Sequence, residues 1–196
     1  FLDDPERFVI KANELADELE QRAETGEGAY ETPGPRLLVA GCPMALPNWK
    51  LPHLIESSGG MVVAEESCVG SRYFEPRAEP ADPSVPVEEQ LRAIARRQLD
   101  THCPSFTPNT ERIQDILRLA RDYRVDGVVQ YTLQFCHTFS FEAVKVDRAL
   151  EQAGIPCLRL ETDYSKQDVE QLKLRIQAFL EMLSVPSKSR SSHELH

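Results

Sequence analysis

Four short apolar runs alternate with amphipathic segments, and this alternation constrains the fold more than any other feature of the chain. The runs cover residues 36–40, 61–64, 127–135 and 157–160. Most of the segments between and after them carry an apolar residue every three or four positions, as amphipathic helices do. Alternating strands and helices indicate a parallel sheet with helices on both faces. The sequence therefore predicts an open α/β domain with about four parallel strands, of the Rossmann-like or flavodoxin-like three-layer kind.

The chain begins with an amphipathic segment that a Gly- and Pro-rich stretch separates from the first apolar run. Residues 5–24 place one apolar stripe on a helix, formed by Phe8, Ala12, Leu15, Ala16 and Leu19. We expect residues 1–35 to be an N-terminal helix and linker that follow an upstream domain absent from this chain. Residues 36–185 are expected to form the α/β domain, and the Ser-rich residues 186–196 a disordered tail.

The charge balance and the cysteine content exclude several functional classes. The formal net charge is −10, which argues against binding to nucleic acid or to an anionic membrane. No apolar run approaches the ~20 residues that span a bilayer, and no secretory signal is present, so a cytoplasmic protein is expected. The five cysteines are odd in number and irregularly spaced, which makes a disulfide framework a poor explanation. Reduced thiols, a metal site and core packing remain.

The cysteines follow the predicted strand ends. Cys42 and Cys68 come just after the first two strands, and Cys136 ends the third. Because parallel strands end on one rim, these thiols are expected to converge on the crevice where such sheets bind ligands. Cys103 lies in the connection before the third strand and is expected to fold over the same rim. Cys157 begins the fourth strand, at the opposite end, and is expected to be a packing residue.

These thiols favour a metal site over a reactive thiol, while unliganded cysteines remain an alternative. The chain has no Cys-x-x-Cys pair, which argues against a zinc ribbon. Dispersed single cysteines beside turns suit an iron–sulfur cluster, because turn amides stabilise cluster sulfur.

Other polar residues at the rim are weaker candidates. His137 could bind a substrate oxygen or a cluster sulfide, or serve only as a turn residue. Arg72 could bind a phosphate or a carboxylate, or form a surface ion pair, and Glu66 is a carboxylate at a strand end. Trp49 and Lys50 could line the rim. No Gly-x-Gly-x-x-Gly motif, P-loop or Ser-His-Asp arrangement is visible.

Several motifs resemble the carboxyl-terminal half of the 2-hydroxyacyl-CoA dehydratase / benzoyl-CoA reductase subunit family, to which the 2-hydroxyglutaryl-CoA dehydratase D-component belongs. They are Asn48-Trp-Lys-Leu-Pro52, Glu65-Glu-Ser-Cys-Val-Gly-Ser-Arg-Tyr-Phe74, Tyr131-Thr-Leu-Gln-Phe-Cys-His-Thr-Phe139 and Glu161-Thr-Asp-Tyr-Ser165. The similarity runs from residue 36 to residue 183, and it is strongest to the double-cubane cluster protein branch.

The resemblance implies an oxygen-sensitive iron–sulfur cluster, of the 4Fe-4S or double-cubane type, held between two Rossmann-like domains. A separate ATP-hydrolysing iron–sulfur activator would supply one low-potential electron, and a homologous subunit would complete a homo- or heterodimer. The substrate would be an (R)-2-hydroxyacyl-CoA that loses water in a lyase reaction.

Cys136 matches the carboxyl-terminal cluster ligand of the family, and Cys68, Cys103 and Cys42 would be further ligands in the double-cubane branch. His137, Glu66 and Arg72 are the candidate catalytic residues. One alternative is an ATP-dependent double-cubane reductase of small molecules, and another is a non-catalytic α/β interaction module with structural cysteines.

Overall fold

The computed structural model describes residues 4–30, 32–44, 47–75 and 84–185. The predicted tail, 186–196, lies outside the described residues. The chain divides into two compact units, residues 1–33 and residues 34–196. Among the described residues, no helix combines the length and the apolar character that crossing a bilayer requires.

The described residues of the first unit contain one helix, α1, which spans Pro5–Thr25 and confirms the predicted N-terminal helix. Its start is set by Asp4, whose side chain accepts a hydrogen bond from the Glu6 amide at 2.9 Å, and by Pro5 in the first turn. Gly26 ends it in the left-handed conformation, with φ of 73°. No residue of α1 is buried, and Phe8 remains 71% exposed.

The second unit contains four parallel strands, as the sequence predicts. They are β1 (Arg36–Gly41), β2 (Met61–Glu66), β3 (Gly127–Leu133) and β4 (Cys157–Thr162), in the order β2-β1-β3-β4. The third strand ends two residues earlier than predicted. Phe135 lies there at φ of 68°, a left-handed conformation that turns the chain out of the sheet.

Helices cover both faces of this sheet. They are α2 (Lys50–Ser57), α3 (Ser71–Phe74), α4 (Val87–Leu99), α5 (Thr110–Asp122), α6 (His137–Gln152) and α7 (Val169–Ser184). The core on one face joins β1, β3 and β4 to α2 and α7, and the core on the other face joins β1 and β3 to α5 and α6. The short helix α3 is a feature that the hydrophobic pattern does not predict.

Alternation along β1 divides its side chains between these two cores. Leu37 and Val39 pack with α2 and α7, while Leu38 and Ala40 pack with α5 and α6. All four are at most 1% exposed, so β1 is buried on both faces, as the uninterrupted apolar run predicts. Burial of a leucine of this kind contributes about 1.5–3 kcal/mol.

Helix α4 confirms the helix that the periodicity of residues 87–99 predicts. Leu91, Ile94 and Leu99, which the pattern places on one face, are 60%, 53% and 77% exposed. The less exposed side of the helix instead carries Gln90 and Arg97. Periodicity shows that a helix has an apolar stripe, but it does not show which neighbour covers that stripe.

Candidate functional site

The strand order creates a switch point between β1 and β3, because the chain continues from β1 to one neighbour and returns to the other. Open parallel sheets bind ligands outside the carboxyl ends of their strands at such a point. Gly41 lies there with φ of 142°, and a Cβ atom on it would come within 1.9 Å of the Tyr131 carbonyl oxygen. Glycine therefore allows the Cys42 amide to donate to that oxygen at 3.0 Å.

Cys42 and Cys136 are both hydrogen-bonded to the backbone of Leu133 at this switch point. The Cys42 sulfur accepts a hydrogen bond from the Leu133 amide at 3.4 Å, and the Cys136 amide donates to the Leu133 carbonyl at 2.9 Å. Burial raises the pKa of Cys42 to about 12, and the neighbouring Cys136 thiol adds to the increase. Cys136 precedes the first turn of α6, where the helix dipole favours negative charge. Strand pairing thus places two thiols side by side.

Cys68 and Cys103 form a separate group around Arg72. Arg72 Nη1 lies 3.4 Å from the Cys68 sulfur, and the charge of a Cys103 thiolate also acts on this guanidinium. Cys68 is exposed, whereas Cys103 is half-buried and lies 3.6 Å from the Ser105 hydroxyl, sulfur to oxygen.

The structure therefore brings Cys42 and Cys136 together but leaves Cys68 and Cys103 apart from them. In the described part of the chain, no three Cys, His, Asp or Glu side chains are grouped so as to hold a metal ion. The described residues supply two sulfurs at the switch point and do not by themselves form a complete cluster site. Which cysteines bind iron stays a prediction.

Cys157 lies at the start of β4, away from the rim, as the sequence predicts. Its sulfur contacts Gln130 Nε2 at 3.3 Å and Asp147 Oδ1 at 3.5 Å. Burial raises its pKa to about 11. These contacts are those of a packed thiol.

A buried network of charges lies beside both pairs of cysteines. Arg112 donates to Glu66 Oε2 at 2.8 Å and to Glu142, and Arg72 donates to Glu66. Their guanidinium carbons lie 5.1 Å (Arg112) and 5.9 Å (Arg72) from the centre of the Phe139 ring. Burial raises the pKa of Glu66, while the two cations oppose that increase.

Two of the predicted catalytic residues, Glu66 and Arg72, thus pair with each other inside the protein and are 2% and 9% exposed. The third, His137, is exposed at the first position of α6, next to Cys136.

Sequence reasoning missed Arg112 and Glu142. Both lie on the apolar stripe of their helices, Arg112 in line with Ile116 and Glu142 in line with Val146. The sequence did contain a signal for them: a charged residue on an apolar helix stripe is expected to be paired, because charges are buried almost only when they are paired. The sequence did not show that these two residues pair with each other.

Lys50 connects the start of α2 to the loop between β4 and α7. Its ammonium group lies within 2.5–2.8 Å of four oxygens, on Thr162, Asp163, Ser165 and Asp168. Burial alone would raise the pKa of Asp168, but hydrogen bonds from Lys50 and Thr162 outweigh it and lower this pKa. Lys50, which was predicted to line the rim, thus bonds to the loop between β4 and α7.

Cavities open at the carboxyl rim of the described part of the sheet, and two of them lie beside predicted site residues. One, of about 630 Å³, lies between the start of α2 and the β4–α7 loop, and its walls include Trp49, His53, Tyr164, Lys166 and Val169. The other, of about 370 Å³, lies beside Arg72, and its walls include Glu75, His102, Asp115 and Arg118. The larger cavity falls within the range of small-molecule sites.

Comparison with known proteins places these features in a family. The family model described as the 2-hydroxyglutaryl-CoA dehydratase D-component matches residues 1–183. YjiM of Escherichia coli (strain K12), which is named as a dehydratase subunit, is 36% identical over 92% of this chain and 45% of its own length.

Two more distant relatives are named as dehydratase beta subunits. The (R)-phenyllactyl-CoA dehydratase beta subunit of Clostridium sporogenes is 26% identical over 66% of this chain and 33% of its own length. Subunit beta of (R)-2-hydroxyglutaryl-CoA dehydratase from Acidaminococcus fermentans is 22% identical over 91% of this chain and 45% of its own length. The chain spans less than half the length of these relatives. Because the family model covers nearly the whole sequence, the chain belongs to the family of the 2-hydroxyglutaryl-CoA dehydratase D-component.

Proposed function

We propose that this chain is the carboxyl-terminal, cluster-binding part of an enzyme subunit that eliminates water from an (R)-2-hydroxyacyl-CoA. Family membership supports the reaction class. The observation that carries the proposal is the pair Cys42 and Cys136 at the switch point, bonded to the backbone of Leu133. Two adjacent thiols at the ligand-binding edge of a parallel sheet are suited to a shared metal cofactor.

Cys136 and Cys42 are the proposed iron ligands, and the remaining ligands come from outside the described residues. A bound iron–sulfur cluster would supply one-electron chemistry at low potential. The chain's own contribution is to position the two sulfurs, of which that of Cys42 is buried and that of Cys136 is partly buried. As a free thiol Cys42 stays protonated at neutral pH, because its pKa is raised, so that metal binding must release its proton.

Arg112 and Arg72 are proposed as positioning residues. Arg112 lies close enough to favour a thiolate at Cys42, and Arg72 contacts Cys68 directly. Glu66 and Glu142 hold the guanidinium groups in place. His137 is exposed beside Cys136 and is the predicted residue best placed to reach a substrate oxygen.

Two partners follow from the proposed reaction. The relatives named as beta subunits belong to enzymes with more than one kind of subunit, which supports a homologous partner subunit here. An ATP-hydrolysing iron–sulfur activator is the proposed electron donor.

A second candidate function is an ATP-dependent reduction of small molecules at a double-cubane cluster. The specific observation that favours it is the second group of thiols, Cys68 and Cys103 around Arg72. This group would provide the additional sulfur ligands that a double cubane needs.

The test compares iron content in the intact protein purified without oxygen. We expect Cys136→Ser and Cys42→Ser to lose iron, sulfide and the absorbance at about 400 nm that accompanies thiolate-bound clusters. Cys157→Ser is the matched control and should retain them. Cys68→Ser separates the two functions, since only a double cubane should lose part of its iron with that change.

Retention of full iron content by Cys136→Ser would refute the proposed ligand. A preparation of the intact protein that never takes up iron would instead support the non-catalytic interaction module.

A further inference from the structure

The larger rim cavity, of about 630 Å³, is lined by basic rather than acidic side chains, although the protein as a whole is acidic. The chain as a whole carries a net charge of −10, yet no Asp or Glu is among the residues that line the cavity. Its walls carry two ammonium groups, Lys50 and Lys166, and the imidazole of His53. Because Lys50 is already paired with Asp168, Lys166 is the charge that would attract an anion, and His53 could donate a hydrogen bond to it.

The same cavity is walled by aromatic and apolar side chains. Trp49 and Tyr164 are 57% and 67% exposed, a large solvent contact for such side chains. Leu54 and Val169 form part of the floor, and Asn48 is held by a 2.9 Å hydrogen bond to the Tyr131 hydroxyl. Exposed aromatic rings at the edge of a concave site are suited to stacking with a planar ring.

The two walls of the cavity are also fixed relative to each other. Lys50 follows Trp49 in the chain, and its ammonium group holds the backbone oxygens of Asp163 and Ser165 on either side of Tyr164. The aromatic side chains are therefore carried on backbone segments that one side chain ties together. A preformed site of this kind loses less entropy when a ligand binds.

We propose that this cavity binds a planar aromatic ring that carries phosphate, the chemistry of the nucleotide end of coenzyme A. The ring would stack on Trp49 and Tyr164, and the phosphate would face Lys166 and His53. This inference rests on the proposed function, because an acyl-CoA substrate would bring such a group to the rim.

The smaller cavity does not offer the same chemistry. Its walls include three carboxylates, Glu66, Glu75 and Asp115, and its two guanidinium groups, Arg72 and Arg118, are already paired with Glu66 and Glu75. The distribution of charge thus separates the two cavities and favours the one at Trp49.

Trp49 is the single tryptophan of the chain, so its fluorescence reports directly on the cavity. We expect adenosine 3′,5′-bisphosphate to quench this fluorescence in the intact protein in a saturable manner. The Trp49→Phe variant supplies the blank for any tryptophan elsewhere in the intact protein.

Two changes test the contacts. Lys166→Glu reverses the charge that would face the phosphate and should weaken binding about tenfold or more. Tyr164→Ala removes a stacking surface and should weaken it about tenfold. Lys145→Glu, an exposed change of the same kind on α6, is the matched control and should leave the affinity unchanged.

Absence of quenching by the nucleotide, or equal affinity of Lys166→Glu and the control, would overturn the proposal. Quenching by a 2-hydroxyacyl-pantetheine alone would also overturn it, since the cavity would then hold the acyl end. An intact enzyme that dehydrates its acyl-CoA without nucleotide quenching would retain the proposed function and lose this inference. Nucleotide binding by a protein with no dehydratase activity would retain this inference and refute the proposed function.

Discussion

Arg112, which lies in none of the sequence motifs, connects the elements that surround the cysteines. It is 2% exposed and bonds to carboxylates from two different elements, Glu66 at the end of β2 and Glu142 in the first turns of α6. Its guanidinium group therefore joins β2, α5 and α6 close to the cysteines. A buried ion pair adds little net stability, but loss of one member leaves an unpaired charge in a dry interior.

Replacement of Arg112 by methionine should lower the free energy of unfolding by about 3–5 kcal/mol. Urea denaturation of the 196-residue chain measures this loss. Arg118→Met is the control, because Arg118 is 37% exposed and its ion pairs should contribute at most about 1 kcal/mol. Equal losses in the two variants would contradict a central role for Arg112. Addition of Glu142→Gln to Arg112→Met should recover part of the stability, because Glu142 would otherwise lose its cation, whereas Glu66 remains paired with Arg72.

At the scale of elements, α4 shows that an apolar stripe in the sequence is not always buried in the structure. Its apolar stripe is left uncovered, since Leu91 and Ile94 are more than half exposed. The next helix along the chain, α5, buries its apolar residues, with Ile116 and Leu119 exposed by only 1% and 2%. Both helices have the same type of sequence, so the difference comes from which surfaces the fold brings beside them.

The double change Leu91→Gln and Ile94→Gln should therefore alter the stability of the 196-residue chain by no more than about 0.5 kcal/mol. Ile116→Ala on α5 should cost about 2–5 kcal/mol, because it leaves a cavity in a packed core. Urea midpoints of the two variants, measured side by side, check this prediction. A large loss from the α4 change would show that its stripe is covered within this chain.

At the scale of the whole molecule, Lys50 holds together segments that are more than 100 positions apart in the sequence. Its partner Asp168 has a lowered pKa because hydrogen bonds from Lys50 and Thr162 favour the carboxylate. A carboxyl group with a lowered pKa in the fold stabilises the protein above its unfolded pKa of about 3.9. That contribution is lost as the pH falls through the lower value of the folded state.

Asp168→Asn should thus destabilise the chain near neutral pH, by about 1 kcal/mol for a pair of this exposure. The difference between the variant and the unaltered chain should shrink below about pH 4 and vanish once Asp168 is protonated. Thermal denaturation midpoints from pH 7 to pH 3 measure it. A difference that stays constant over this range would show that the Asp168 carboxylate does not stabilise the fold by its charge.

The sequence alone determined the alternation of strands and helices, the parallel sheet and the edge of the sheet at which Cys42 and Cys136 lie. These follow from local periodicity and from the rule that parallel strands end on one edge, so that no distant contact had to be known. Tertiary structure decided that Cys68 lies with Arg72 rather than with Cys42, that Arg112 and Glu142 meet, and that α4 faces outward. Such contacts join side chains from separate connections of the sheet, and their choice of partner depends on packing, which a one-dimensional pattern does not contain.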